Sequence, residues 1–129
     1  MSDKILLVDD DLNMIKLLNM VLQEEYDVET ANDIDEAKAK IFDEPNYSVI
    51  ILDLKLGDES GYDLIKYTRV ESNLEWIPII VLSGLNKSEE RIKSFKMKAD
   101  DYVVKPFNPV ELKHRIDRHI SKYKLIKSK

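Results

Sequence analysis

Short apolar runs alternate with segments of helical periodicity along the chain. Three of these runs are continuous and contain β-branched residues: Ile5–Val8, Val49–Leu52 and Ile79–Leu82. They are too short for typical helices and too continuous for strands with one wet face, so they predict strands buried on both faces, as in a parallel sheet. Two weaker runs, Asp27–Ala31 and Asp101–Val104, are further strand candidates.

Helical spacing follows each of the five strand candidates. The apolar positions that define these helices are, in chain order, Met14, Leu17, Leu18, Val21 and Leu22; Ile34, Ala37 and Ile41; Gly61, Leu64, Ile65 and Thr68; Ile92 and Phe95; and Leu112, Ile116, Ile120 and Tyr123. Asp11 is a candidate N-cap of the first helix, and Asn108 followed by Pro109 predicts the start of the last. This alternation predicts βαβ units and a doubly wound α/β domain with a five-stranded parallel sheet.

Composition narrows the class of protein. The 129 residues suit one domain, and the net charge of −5 argues against a domain built mainly to hold nucleic acid. Without cysteine there is no disulfide, thiolate nucleophile or cysteine-based zinc site. No apolar run approaches the ~20 residues of a membrane span and no signal peptide is evident, so we expect a cytoplasmic location. Residues 1–124 are expected to form the domain, and 125–129 a basic, frayed tail or linker stub.

Polar residues stand at the carboxyl ends of four of the predicted strands. Asp9 and Asp10 follow the first, Asp53 the third, Ser83 the fourth and Lys105 the fifth. Because the carboxyl ends of parallel strands share one edge, we expect these groups to gather there. Three converging carboxylates suit Mg²⁺, which prefers oxygen ligands, and without a cation they raise one another's pKa. Each residue alone also fits a helix cap, a turn or a solvated charge.

Together these motifs resemble the receiver domains of two-component response regulators, the CheY-like family, from about Lys4 to Lys122. The motifs are Asp9-Asp10, Asp53 with Gly61 following, Ser83-Gly84, and the segment DDYVVKPF that contains Lys105-Pro106. The resemblance implies a flavodoxin-like (βα)5 fold with strand order 2-1-3-4-5. It also implies a phosphoacceptor that takes a phosphoryl group from a sensor histidine kinase and switches an output surface.

The resemblance assigns the chemistry to particular residues. Asp53 is the phosphoacceptor, and Asp10, Asp53 and the backbone carbonyl of Lys55 bind Mg²⁺ directly, with Asp9 acting through water. Lys105 pairs with Asp53 before phosphorylation and with a phosphoryl oxygen afterwards. The Lys105–Pro106 peptide bond is expected to be cis, which aims the lysine into the site. The remaining oxygens accept hydrogen bonds from a hydroxyl and from the backbone N–H after the acceptor. Such a domain is no enzyme in the usual sense, since it catalyses only its own phosphoryl transfer and autodephosphorylation.

The hydroxyl that donates to a phosphoryl oxygen belongs to Ser83, and Ser83 and Tyr102 together form the implied switch. The simpler interpretation of Tyr102 is a half-buried strand aromatic with its hydroxyl in water. Lys55 and Leu85 occupy the positions that tune the lifetime of the acyl phosphate in this family. Gly57 departs from the proline that many receivers carry there, which loosens the loop.

A charged dimer face is also implied, formed by the fourth helix, the fifth strand and the last helix. Its candidate residues are Arg91, Phe95, Asp100, Asp101, Glu111, Arg115, Arg118 and Lys122. Arg91 would pair with Glu111, Asp101 with Arg115, and Asp100 with Arg118 or Lys122 across a two-fold axis. Exposed ion pairs contribute only ~0–1 kcal/mol, so a phosphorylation-dependent homodimer and a monomer that binds another partner both stay open.

Three other classes of protein share some of these features. An Mg²⁺-dependent aspartyl phosphatase needs a second acid two residues after its nucleophile, where this chain has Lys55. A flavodoxin-like carrier needs a phosphate-binding loop after the first strand, where this chain has three acids. A degenerate receiver, which acts as an interaction module without phosphorylation, usually lacks one of the acids or the lysine. This chain retains them all, as Asp9, Asp10, Asp53 and Lys105. The domain is expected to bind neither nucleic acid nor membrane directly.

Overall fold

A computed structural model describes residues 3–44, 46–72, 74, 76–84 and 87–127. Its main sheet has five parallel strands: β1 (Asp3–Val8), β2 (Tyr26–Ala31), β3 (Val49–Asp53), β4 (Ile79–Ser83) and β5 (Asp101–Val104). The strand order is β2-β1-β3-β4-β5. The predicted fold class and strand order are therefore confirmed, and both weak strand candidates are strands.

Helices follow the strands as predicted. They are α1 (Leu12–Leu22), α2 (Ile34–Asp43), α3 (Tyr62–Lys66) with a π-helical turn at Tyr67–Glu71, α4 (Ser88–Lys96) and α5 (Pro109–Lys127). The Asp11 side chain caps α1, and Asn108 accepts hydrogen bonds from the first turn of α5. Because α5 continues to Lys127, residues 125–127 are helical rather than frayed. The domain boundary at 124 stays a prediction.

Hydrophobic clusters lie on both faces of the sheet. Residues of one strand alternate between them, since Ile5 and Leu7 join the cluster under α1 and α5, whereas Leu6 and Val8 join the cluster under α2 and α3. This two-sided burial explains why the strands are continuously apolar. None of the described helices is long and apolar enough to cross a membrane.

Helix α4 is the weakly packed element. Only Ser94 of α4 is buried, whereas Ile92 and Phe95 are 52% and 46% exposed. The predicted helix is therefore present, and its two clearly apolar residues, Ile92 and Phe95, lie largely at the surface. A helix that buries so little apolar surface can move at low cost.

A short antiparallel hairpin, which the sequence did not indicate, follows β3. Lys55–Leu56 pairs with Glu59–Ser60, and the turn places Gly57 at a φ of +58°. The chain then returns under β3 at Gly61, where a Cβ would lie 2.9 Å from the Asp53 carbonyl oxygen. The absent side chain of Gly61 thus allows the hairpin and α3 to pack against the end of β3.

Candidate functional site

The three predicted acids meet at the carboxyl edge of the sheet. Val8 of β1 pairs with Leu52 of β3, so the residues that follow them are neighbours. Carboxylate oxygens of Asp9, Asp10 and Asp53 lie within 4.8 Å of one another. Asp9 and Asp53 are buried and Asp10 is exposed, so the cluster opens to solvent on one side.

Asp9 carries the most unusual carboxylate of the cluster. Its Oδ1 accepts a hydrogen bond from the Asp11 N–H (2.9 Å), whereas the buried Oδ2 has no hydrogen-bond partner among the described residues. Burial, together with the neighbouring Asp53 carboxylate, raises the pKa of Asp9 to about 6 against the lowering effect of the Asp11 N–H. A buried, unpaired acidic oxygen beside two other carboxylates fits a hard divalent cation such as Mg²⁺.

Asp53 is held by donors at both of its carboxylate oxygens. Lys105 Nζ lies 2.6 Å from Oδ2, and the Lys55 N–H donates to Oδ1 at 3.1 Å. The resemblance implies that the Leu54 N–H donates a hydrogen bond to the phosphoryl group. In this structure it donates to the Leu82 carbonyl oxygen in the strand ladder at 3.2 Å. Asp53 is thus oriented by one cation and one amide of the chain itself.

Lys105 reaches Asp53 from the end of β5. Its N–H donates to the Ser83 carbonyl oxygen at 2.7 Å, which joins the ends of β4 and β5. The Lys105–Pro106 peptide bond is cis, as the resemblance implies. Lys55 is exposed at the start of the hairpin, and Leu85 lies outside the described residues.

The two switch residues are joined by a third side chain. Both Ser83 and Tyr102 are buried, and both hydroxyls donate to Oε1 of Glu90 in α4, at 2.5 Å and 2.6 Å. The interpretation of Tyr102 as half-buried with its hydroxyl in water is therefore wrong. Sequence reasoning missed Glu90, because one glutamate among the charged residues of α4 carries no motif.

The acids of the predicted dimer face have partners within the chain. Asp101 binds Arg115 (2.9 Å) and His119 (3.0 Å), and Asp100 binds Arg69 (2.8 Å). Burial raises the pKa of Asp101, but hydrogen bonds from His119, the Tyr102 N–H and Arg115 outweigh it and hold the pKa below its usual value. Pairing across a two-fold axis therefore has to compete with these contacts.

The other predicted dimer residues either have contacts within the chain or are exposed. The Arg91 guanidinium lies 5.5 Å from the centre of the Tyr102 ring, and Glu111 lies 3.4 Å from Arg115. Arg118 is exposed on α5, as is Phe95 on α4. The structure thus brings Arg91, Glu111 and Arg115 together around one cavity, while a shared face that includes Phe95 and Arg118, and any contact between chains, stay predictions.

A five-stranded parallel sheet with an acid cluster and a lysine at its carboxyl edge is the architecture of a phosphoacceptor signalling domain. A family model described as "Response regulator receiver domain" matches residues 5–117. The chain therefore belongs to the response regulator receiver domain family. Members of this family are signalling phosphoacceptors of two-component systems rather than enzymes in the usual sense.

Individual relatives agree with this assignment. The transcriptional regulatory protein ResD of Bacillus subtilis is 38% identical over 114 residues, 88% of this chain and 46% of ResD. The phosphate regulon regulatory protein PhoB of Escherichia coli is 34% identical over 117 residues, 90% of this chain and 51% of PhoB. The chain thus spans about half the length of these curated relatives.

Solved structures show the same fold. A CheY-like receiver domain protein from Methanospirillum hungatei superimposes with a TM-score of 0.87 at 29% identity. The alignment covers 96% of this chain and 98% of that one. The likeness therefore extends over the complete receiver domain.

Proposed function

We propose that Asp53 accepts a phosphoryl group from the phosphohistidine of a sensor kinase. Its carboxylate oxygen attacks phosphorus, an O–P bond forms as the N–P bond of the phosphohistidine breaks, and the histidine nitrogen keeps the electron pair. An ionised carboxylate needs no general base, and phosphoryl transfer depends mainly on positioning and charge neutralisation. The observation that carries this proposal is Asp53 held between Lys105 and the Lys55 N–H beside two further acids.

We propose Mg²⁺ as the cation of the acid cluster. Asp10, Asp53 and the Lys55 carbonyl would hold it directly, and Asp9 through water. The unpaired Asp9 Oδ2 supports this proposal. Bound Mg²⁺ would neutralise charge on the phosphoryl oxygens. Lys105 contributes a second positive charge from the chain itself, 2.6 Å from Asp53 Oδ2.

The output of the switch is proposed to be a population shift rather than a new fold. Ser83 turns its hydroxyl to a phosphoryl oxygen, Tyr102 follows, and the loosely packed α4 changes position. The face formed by α4, β5 and α5 then binds a second copy of the chain, or a different partner. Sedimentation with and without beryllofluoride, a phosphoryl mimic, separates these outcomes, because a monomer in both states excludes the homodimer.

The lifetime of the acyl phosphate is proposed to depend on Lys55 and Leu85, which flank the acceptor in the family. Autodephosphorylation is the only hydrolysis that this domain would catalyse. A cytoplasmic location, and the expectation of no direct contact with nucleic acid or membrane, stay predictions.

Intact mass spectrometry after incubation with Mg²⁺ and acetyl phosphate or phosphoramidate tests the proposal. We expect one added phosphoryl mass, labile to base and hydroxylamine, and none for Asp53→Asn. Asp58→Asn is the matched control, because Asp58 is an exposed acid in the adjacent hairpin turn. Labelling of Asp53→Asn at the wild-type level would move the nucleophile elsewhere, and an unlabelled wild type would favour the degenerate receiver.

A further inference from the structure

Glu90 lies where the phosphorylation site meets the weakly packed helix α4. Its Oε1 accepts hydrogen bonds from Ser83 Oγ at 2.5 Å and from the Tyr102 hydroxyl at 2.6 Å. Glu90 belongs to the first turn of α4, where the helix dipole favours a negative side chain. One carboxylate oxygen therefore engages both residues of the proposed switch.

We propose that Glu90 is a positioning residue that holds the resting state of the switch by binding both hydroxyls. The inference rests on the proposed function, because it concerns what Ser83 and Tyr102 do before phosphorylation. A hydroxyl has a single hydrogen to donate, and an ionised carboxylate is an acceptor only. The Ser83 hydrogen therefore cannot be donated to Glu90 and to a phosphoryl oxygen on Asp53 at the same time.

The sheet register places Ser83 close to Asp53. Asp53 of β3 pairs with Leu82 of β4, and Ser83 is the next residue. A phosphoryl group on Asp53 is an anion that competes with the anion of Glu90 for one hydroxyl hydrogen. When Ser83 leaves Glu90, Tyr102 keeps its acceptor only if α4 stays in place.

The backbone of Glu90 ties the same contact to α4. Its carbonyl oxygen accepts hydrogen bonds from Ser94 Oγ (2.9 Å) and from the Tyr62 hydroxyl (3.5 Å). Because Ser94 is the one buried residue of α4, little apolar burial opposes a shift of this turn. Release of Glu90 by Ser83 is thus coupled to the position of the helix that forms the output face.

Removal of the Glu90 charge should lower the free energy of the active state relative to the resting state. With Mg²⁺ present, we expect Glu90→Gln to bind beryllofluoride about tenfold more tightly than wild type, equivalent to about 1.4 kcal/mol. Without beryllofluoride, the amide shifts of Ser83 and Tyr102 in this variant should already move toward their bound positions. Glu90→Ala removes the acceptor altogether and should show the larger effect, since glutamine retains a carbonyl oxygen.

The control is Glu89→Gln, which removes the same charge from the same helical turn at an exposed position. It should keep wild-type affinity and wild-type shifts at Ser83 and Tyr102. A purely structural role of Glu90 would lower stability without tightening beryllofluoride binding. If Glu90→Ala does not fold, Glu90→Gln decides alone.

Three outcomes overturn the inference. Wild-type affinity of a folded Glu90→Gln, with unchanged shifts, refutes the positioning role while leaving the proposed function intact. Equal tightening by Glu89→Gln assigns the effect to general charge and also refutes it. Failure of the wild type to bind beryllofluoride or accept phosphate refutes the proposed function and this inference with it.

Discussion

Replacement of Asp9 by asparagine should stabilise the metal-free protein while removing most of its response to Mg²⁺. The asparagine Oδ1 can still accept the hydrogen bond from the Asp11 N–H, as the carboxylate does at 2.9 Å. Its amide NH₂ then takes the place of the unpaired Oδ2 and can donate toward the nearby Asp10 and Asp53 carboxylates. The substitution therefore removes a buried charge without leaving a new polar group unsatisfied.

The expected magnitude follows from the pKa of Asp9, which burial raises from 3.8 to about 6. A pKa difference of about 2 corresponds to about 3 kcal/mol of destabilisation when the carboxyl ionises. Because the folded state holds this proton more tightly than the unfolded state, the metal-free wild type should lose this stability as the pH rises from about 4 to about 6. The asparagine variant lacks this carboxyl and should not show that loss.

Urea unfolding in EDTA and in Mg²⁺, at about pH 7 and about pH 4, measures both effects. Asp11→Asn is the control, because asparagine is an equally good N-cap and the substitution removes one exposed charge nearby. If Asp9→Asn is no more stable than wild type in EDTA at neutral pH, the claim that the buried Asp9 charge destabilises the metal-free protein is refuted. A variant that keeps the full Mg²⁺ stabilisation would refute the assigned role of Asp9.

Further predictions concern the surrounding structure. Gly61→Ala should cost about 1–3 kcal/mol in urea unfolding, because its Cβ would lie 2.9 Å from the Asp53 carbonyl oxygen, whereas Gly84→Ala meets no described atom within 4 Å and should be nearly neutral. Arg69→Met should cost about 3–5 kcal/mol, since it leaves the carbonyls of Leu74, Ile77 and Lys98 and the carboxylate of Asp100 without their cationic partner; Arg118→Met on the exposed face is the control. Asp101 has a lowered folded-state pKa, so its stabilisation is present above its unfolded pKa and is lost as pH falls through the folded one; an acid-unfolding curve of Asp101→Asn that matches wild type would contradict this.

The sheet and its acid cluster could be predicted because they depend on local sequence patterns. A strand buried on both faces must be apolar at every position, so Ile5–Val8, Val49–Leu52 and Ile79–Leu82 mark the centre of the sheet directly. The parallel arrangement then brings the polar residues that follow these runs to one edge. The convergence of Asp9, Asp10 and Asp53 could therefore be predicted without knowing how the side chains pack.

Contacts between distant side chains could not be predicted in this way. Glu90 is one of several charged residues on a helix with little apolar periodicity, and only the packed structure selects it as the acceptor for Ser83 and Tyr102. Asp100 likewise became a candidate for the dimer face by resemblance, and its ion pair with Arg69, 31 residues earlier in the chain, left no pattern in the sequence. The face that α4 presents to the core was also unpredictable, since its buried residue is the small polar Ser94.

The most direct test of the account is to locate the phosphorylated residue. Borohydride reduction of an aspartyl phosphate converts that aspartate into homoserine, which tandem mass spectrometry identifies by position. After incubation with Mg²⁺ and acetyl phosphate, we predict homoserine at position 53 alone, and none without the phosphodonor. Homoserine at any other aspartate, or its absence from a protein that carries the phosphoryl mass, would contradict the assignment of Asp53.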